Sequence, residues 1–327
     1  MNGAATLQQG SAARLLDVEP PEGAWALRSL VFTCDGSCES AAAREAAVHL
    51  ARHAGAAVHV VTTYVGGLPA ALLDENSPQE PWYAANELLR RETAAMRDAG
   101  VTVLGSHLGV LSVSDATLRV ATQFDADLIV IGSRDLHTAR RIMLGNNAGE
   151  FIHAAHRPVL VMRGGERVWP PARVIVGFDH SPEAMRAATV AATIASLYRG
   201  VDVTLLEAIP ESAVPEAALE LQSTHTESGA RLQCEREHLQ DHAASLARRF
   251  DARVIAEVVP GDPRSVLFDV AQQRGIPQLV VVGTRGLGRM KRFMLGSVSS
   301  LVLDGGCGPT LVVPGSAALP SRSRAPT

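Results

Sequence analysis

The sequence predicts an α/β protein made of two tandem copies of one doubly wound domain. Continuous apolar runs, such as residues 128–132 and 279–283, are typical of parallel strands that are covered on both faces. Alanine-rich segments with helical character alternate with these runs, as βαβ units require. The same landmarks also occur twice along the chain in the same order, which indicates an internal repeat.

The repeat is visible in short segments that align between the two halves of the chain. Each half begins with a short strand that ends in Asp-x-Ser, at Asp35 in the first copy and at Asp179 in the second. Three further pairs of segments then follow in the same order, at 128–134 with 279–285, 141–145 with 292–296, and 157–161 with 308–312. We predict a flexible arm at 1–26, domains at 27–163 and 173–315, a linker at 164–172 and a disordered tail at 316–327.

The second copy shows the predicted element order most clearly. Its strands fall near 173–178, 202–208, 253–259, 278–283 and 309–313, and its helices near 182–198, 226–249, 264–274 and 296–304. Right-handed crossovers between these strands give a parallel sheet. Ligands of such sheets bind beyond the carboxyl ends of the strands, where the strand order reverses. We therefore expect Asp179 and Gly283, which end strands one and four, to border one crevice.

Composition excludes several classes of function. The chain has 327 residues, of which 46% are hydrophobic and 20% charged, as in a globular protein. Aromatic residues make up only 4% and the net charge is −4, so neither a stacking surface for single strands nor a basic face for duplexes is expected. No apolar run reaches the roughly eighteen residues of a membrane span, and no basic-then-apolar signal pattern is present. We expect a cytoplasmic protein that binds neither nucleic acid nor membrane.

A glycine motif in the second copy indicates a phosphate site. Gly283 ends a strand, Gly286 follows three residues later, and Gly296-Ser297 opens a predicted helix. Glycines let backbone N–H groups approach a ligand closely, and a helix start stabilises an anion. Arg285 lies in the same loop, and arginine matches phosphate oxygens. The spacing is neither that of a Walker A loop nor that of a dinucleotide fingerprint.

This motif, together with Asp-x-Ser after the first strand, resembles the universal stress protein family over about residues 28–163 and 172–314. The resemblance implies that each domain is a five-stranded parallel sheet of order 3-2-1-4-5 with helices on both faces. It also implies ATP as the ligand, with Mg²⁺ as an optional companion ion. Asp179 would contact adenosine, backbone at Ala208 would read the adenine edge, and the motif would hold ribose and phosphates. The candidate binding residues are Asp179, Ala208, Gly283, Arg285, Gly286, Gly296, Ser297, Val298 and Ser299.

The first copy departs from the motif. Asp135 stands where the second copy has Gly286, and Asn146 stands where it has Ser297. A carboxylate about 4 Å from a phosphate costs on the order of a few kcal/mol at an effective dielectric near 20, which is roughly a hundredfold in affinity. Any site in the first copy is therefore expected to be weaker, at Asp35, Gly132, Gly145 and Asn146, and the alternative is that this copy serves mainly as a packing partner. The resemblance further implies pairing of last strands, either in a homodimer or in an intramolecular pseudo-dimer.

Three functions remain open at the level of sequence. The chain is expected to be an ATP-binding stress or signalling protein that acts on an unknown protein partner through a change in conformation or assembly. The alternatives are a slow ATPase or phosphotransferase and a scaffold that binds no nucleotide. No catalytic residue is assigned, because the nearest candidate, Asp262, precedes Pro263 as a helix cap would. Cys234, His238 and His242 have a spacing compatible with a metal, but we expect a polar helix face and no metal site.

Overall fold

A computed structural model describes residues 25–64, 81–110, 112–132, 148–163, 169–209, 227–273, 276–284 and 308–315. Most of the predicted arm, residues 164–168 of the predicted linker and the predicted tail lie outside these ranges. None of the helices in the described ranges is both long and apolar enough to cross a membrane.

Each half of the chain alternates strands and helices. The first repeat contains β1 (Ser29–Thr33), α1 (Cys38–Ala54), β2 (Ala57–Thr63), α2 (Pro81–Asp98), β3 (Val103–Gly109), α3 (Val113–Gln123), β4 (Leu128–Gly132), α4 (Ala148–Ala155) and β5 (Val159–Met162). The second contains β6 (Arg173–Gly177), α5 (Pro182–Ser196), β7 (Asp202–Ile209), α6 (Glu227–Phe250), β8 (Val254–Pro260), α7 (Pro263–Gln272), β9 (Gln278–Gly283) and β10 (Thr310–Val313). The strands predicted for the second repeat agree with the observed strands to within one residue at each end. The helix predicted at 296–304 lies outside the described residues.

The ten strands in the described ranges form one sheet, in the order β3-β2-β1-β4-β5-β10-β9-β6-β7-β8. Each repeat therefore has the strand order 3-2-1-4-5, which confirms the predicted doubly wound α/β fold. Within a repeat the strands pair in parallel. The two repeats meet through an antiparallel pair, in which Leu311 of β10 lies opposite Leu160 of β5. This contact is the intramolecular form of the expected pairing between last strands.

The antiparallel contact has a geometric consequence for any ligand sites. Strands β1, β4 and β5 run in one direction, and β10, β9 and β6 run in the other. The carboxyl ends of the two sets of strands therefore point in opposite directions along the strand axis. Since ligands of parallel sheets bind at those ends, any ligand sites of the two repeats would lie apart from each other.

The apolar core covers both faces of the sheet. Along β1, Phe32 belongs to the cluster on one face and Val31 to the cluster on the other, as the two-residue period of a strand requires. Both clusters continue from one repeat into the other, since Leu160 and Leu311 share the first, and Val159 and Val312 share the second. The two repeats are therefore packed as one body.

We predict that the junction between the repeats contributes strongly to stability. Leu311 is fully buried, so Leu311→Ala should lower the free energy of unfolding by about 2–5 kcal/mol through lost burial and a residual cavity. The matched control is Leu104→Ala, because Leu104 is 64% exposed and its loss should change stability by no more than about 0.5 kcal/mol. Urea unfolding followed by circular dichroism would compare the midpoints. Equal midpoints for the two variants would contradict the prediction.

Candidate functional site

The turn after the first strand of each repeat is held by its Asp-x-Ser segment. In the second repeat the Asp179 carboxylate oxygen Oδ1 accepts hydrogen bonds from the Ser181 N–H at 3.1 Å and from the Ser181 hydroxyl at 2.5 Å. The same hydroxyl oxygen accepts from the Ala184 N–H at 3.1 Å and caps α5. The aspartate therefore fixes the turn that follows the strand, and the serine two residues later caps the helix.

The first repeat builds its turn in the same way. Asp35 Oδ1 accepts from the Ser37 N–H at 2.9 Å and from its hydroxyl at 2.5 Å, and Ser37 caps α1. The residue between Asp and Ser needs a positive φ in both repeats. The first repeat uses Gly36, with φ 79°, and the second uses His180, with φ 59°. Only the second repeat therefore adds a side chain at this point of the turn.

Strand two continues past the point where strand one ends, and we call the region beyond the end of β6, alongside the last residues of β7, the crevice. The ladder between β6 and β7 ends at Gly177 opposite Leu206, and the Phe178 N–H donates to the Leu206 carbonyl at 2.9 Å. Strand β7 runs on to Ile209, which accepts from Gly261 on the β8 side at 2.8 Å.

Backbone groups in a strand face its two neighbours alternately. The N–H and C=O of Ala208 therefore point to the same side as those of Leu206, toward the space beyond the end of β6. An adjacent backbone donor and acceptor at this place match the hydrogen-bonding edge of adenine. In the first repeat Cys34 donates to Val61 at 2.9 Å, which places Thr63 in the position of Ala208.

The glycines that end strand four are contacted by the first turn of the neighbouring helix. A Cβ added at Gly132 would lie 2.5 Å from the Glu39 carbonyl carbon and from the Ser40 nitrogen. A Cβ added at Gly283 would lie 3.2 Å from the backbone of Glu183. Helix packing is thus a sufficient reason for glycine at Gly132 and a weaker one at Gly283, and the phosphate contact of Gly283 stays a prediction.

Three of the predicted site residues of the second repeat come together in the described part of the chain. Asp179, Ala208 and Gly283 lie at the carboxyl ends of β6, β7 and β9, which are neighbours in the sheet. Asp35 and Gly132 take the corresponding places in the first repeat. The remaining candidates lie outside the described residues, namely Arg285, Gly286, Gly296, Ser297, Val298, Ser299, Gly145 and Asn146.

Sequence reasoning missed a polar group beside this crevice. The His180 Nε2 atom lies 3.1 Å from a carboxylate oxygen of Glu207 and 4.0 Å from one of Glu235. Burial raises the pKa of the Glu207 carboxyl above its usual range, the hydrogen bond from His180 lowers it, and the charges of Glu235 and Asp179 raise it further. These residues come from a turn, a strand and a helix, so no spacing in the sequence relates them.

Asp262 and Cys34 carry chemically reactive side chains, but each has a structural role here. Asp262 caps α7, because its carboxylate accepts from the N–H groups of Arg264 and Ser265 at 3.1 and 3.2 Å. Cys34 is buried, and that burial raises the pKa of its thiol. A thiol held in its protonated form is a poor nucleophile, so Cys34 is a core residue in this structure.

Comparison with known proteins shows similarity along nearly the whole described chain. The model of the universal stress protein family matches residues 27–163 and 172–314. A universal stress protein of Mycolicibacterium smegmatis is 32% identical over 192 residues, which are 58% of this chain and 62% of that protein. One from Mycobacterium tuberculosis is 32% identical over 205 residues, which are 59% of this chain and 61% of that protein. The match therefore spans about three fifths of the length of these curated relatives.

Solved structures share the fold. The crystal structure of a universal stress protein from Archaeoglobus fulgidus covers 88% of this chain and 97% of its own length, with a TM-score of 0.59 and 16% identity. At that identity the likeness concerns the tandem arrangement of strands and helices alone.

The strand-end glycines should differ in their tolerance of a methyl group. Gly132→Ala should destabilise the protein by about 1–3 kcal/mol, because the new Cβ meets rigid helix backbone. Gly283→Ala should cost clearly less, since its nearest contacts are 0.7 Å farther away (3.2 against 2.5 Å). Urea unfolding midpoints of the two variants would be compared with that of the unchanged protein. A larger loss for Gly283→Ala would show that helix packing does not explain these glycines.

Proposed function

The chain belongs to the universal stress protein family, and we propose that its second repeat binds ATP in the crevice beyond β6, β7 and β9. Nucleotide binding would bias the conformation or assembly of the protein and thereby its interaction with a protein partner. Cytoplasmic localisation and a further homodimer are part of this proposal. A universal stress protein with a different sequence has been solved in complex with cAMP, so some members of the family bind adenine nucleotides.

The proposal rests on the direction of the backbone N–H and C=O groups of Ala208. Its N–H and C=O face the space left by the early end of β6, since Leu206 is the last residue of β7 that bonds to β6. Adenine presents an acceptor at N1 and a donor at its amino group, which pair with one N–H and one C=O. Asp179, which is bonded to Ser181 at the same ends of the strands, would accept a hydrogen bond from ribose. The triphosphate would then lie toward the end of β9 and the glycine motif that follows it.

Binding without rapid turnover is the form that we favour. Phosphoryl transfer needs an oriented nucleophile beside the phosphate. Two carboxylates that the structure describes near these strand ends have structural roles, since Asp179 holds the turn and Asp262 caps a helix. A third, Glu207, is paired with His180. Slow ATP hydrolysis or phosphotransfer stays an alternative, and so does a scaffold without bound nucleotide.

Exchange of the divergent motif residues tests which repeat binds. Gly286→Asp places in the second repeat the carboxylate that Asp135 supplies in the first, and it should weaken ATP binding by roughly a hundredfold. Asp135→Gly combined with Asn146→Ser should strengthen binding by the first repeat. Equilibrium titration with fluorescent ATP, with and without Mg²⁺, would give affinity and stoichiometry.

The control for this exchange adds the same charge to the same loop. Gly288→Asp changes a glycine that is not part of the motif, so its loss of affinity should be clearly smaller. Unchanged ATP affinity in Gly286→Asp would reject the assignment of the site. Phosphate release at many turnovers per minute by the unchanged protein would favour the enzyme.

The base preference tests the backbone contact separately. Guanine presents a donor at N1 and an acceptor at O6, so GTP would set like groups against the N–H and C=O of Ala208. Two mismatched buried groups cost about 1–3 kcal/mol each, which corresponds to at least about thirtyfold weaker binding. Competition of unlabelled ATP and GTP against the fluorescent ligand would measure this ratio. Equal competition would exclude Ala208 as the group that reads the base.

A further inference from the structure

We propose that the second repeat also binds a divalent transition metal ion, such as Zn²⁺, through His180, Glu207 and Glu235. His180 lies in the turn after β6, Glu207 on β7 and Glu235 on α6. The site therefore joins three elements that are distant in sequence. It neither uses the glycine motif nor requires a nucleotide, and so it goes beyond the ATP site proposed above.

The distances fit a metal site with little adjustment. The nearest ligand atoms of the three side chains all lie within 4.8 Å of one another. The His180 nitrogen is 3.1 Å from Glu207 and 4.0 Å from Glu235. Bonds of about 2.0–2.2 Å place tetrahedral ligands of Zn²⁺ about 3.4 Å apart, which lies between these two values. A rotation of the Glu235 side chain would close the longer distance.

The charges and burial also favour a cation. The Glu207 side chain is only 12% exposed, and those of His180 and Glu235 are 28% and 31% exposed. Two carboxylates thus face one imidazole in a partly buried place, with Asp179 near enough to act on Glu207. A divalent ion would satisfy both carboxylates at once, as buried charges require. One histidine nitrogen with two carboxylate oxygens is a donor set that suits transition metals, whereas Mg²⁺ prefers oxygen alone.

Comparison of the repeats shows that this group is particular to the second one. Where the second repeat has His180, the first has Gly36, which takes a positive φ at no steric cost. A histidine with φ 59° is unfavourable by roughly 1–2 kcal/mol. Thr62 occupies the place of Glu207, and its hydroxyl donates to the Cys34 carbonyl at 2.8 Å. The second repeat thus keeps the turn but replaces its two neutral residues with a pair that can ligate a metal.

The imidazole of His180 is held in place by rings on two sides. The Phe178 ring centroid lies 5.2 Å away and that of His242 lies 5.3 Å away. His242 is two turns along α6 from Glu235, on the same helix face. Such packing limits the rotamers of His180, which a pre-organised ligand requires.

A competing ligand set lies on α6 itself. Cys234 and His238 are 3.9 Å apart from sulfur to nitrogen, and His242 follows one turn later. This set would use a thiolate and would leave His180 and Glu207 without a role. The experiment therefore has to separate the two sets.

The test is titration of the full chain with Zn²⁺ after chelator treatment and dialysis, in the absence of nucleotide. Isothermal titration calorimetry should show that about one Zn²⁺ ion binds per chain. His180→Gly and Glu207→Gln should each weaken this binding by at least about tenfold, because even loss of an outer-shell partner costs about 10- to 100-fold. The matched control is the double variant Cys234→Ser with His238→Ala, which should retain the affinity. Excess Mg²⁺ should not compete.

Co²⁺ provides an independent optical reading of the ligands. Its absorption spectrum should lack the near-ultraviolet band of thiolate-to-metal charge transfer, and its visible d–d bands should lose intensity in His180→Gly. Circular dichroism and urea unfolding would establish that this variant is folded, as expected from Gly36 in the first repeat. Unchanged Zn²⁺ binding in a folded His180→Gly would overturn the proposal. Loss confined to the double variant, with a thiolate band, would assign the metal to α6 instead, and failure of ATP to bind would leave these outcomes unaffected.

Discussion

The early end of strand one, set by the hydrogen bonds between an aspartate and a serine, is the constraint on which the rest depends. Asp35 and Asp179 bind the serine two residues later, and that serine caps the next helix. The chain leaves the sheet while strand two continues beside it. This difference in length opens the crevice, directs the backbone of Ala208 into it, and brings the first helical turn against the glycine that ends strand four.

The antiparallel contact between β5 and β10 turns two such domains into one sheet. Both apolar clusters cross that contact. Because close-packed interiors transmit strain, a displacement of strands in one repeat would alter the packing in the core of the other. The crevices nevertheless open at opposite edges, because the strands of the two repeats run in opposite directions. Within the described residues, the shared sheet and its core are what connect the two crevices.

The two repeats differ in the residues that surround the crevice but share the same arrangement of backbone. The turn residue is Gly36 in one and His180 in the other, both with positive φ. Strand two presents Thr62 in one and Glu207 in the other. The motif loop contains Asp135 in one and Gly286 in the other. The two repeats thus share a backbone but differ in the side chains around the crevice. Since function resides in the residues placed on a fold, this difference is compatible with separate roles for the two repeats.

The sequence by itself determined the repeat, the strand positions of the second copy and the place of Asp179 and Gly283 at one edge, because each is a local pattern. Apolar runs, the Asp-x-Ser signal and strand-end glycines are read within a few residues. Only the tertiary structure decided that β5 pairs with β10 in the same chain, that Gly132 and Gly283 are packed by helix backbone, and that His180, Glu207 and Glu235 meet. Those contacts join residues far apart in sequence, and no local pattern records which distant segments the fold will bring together.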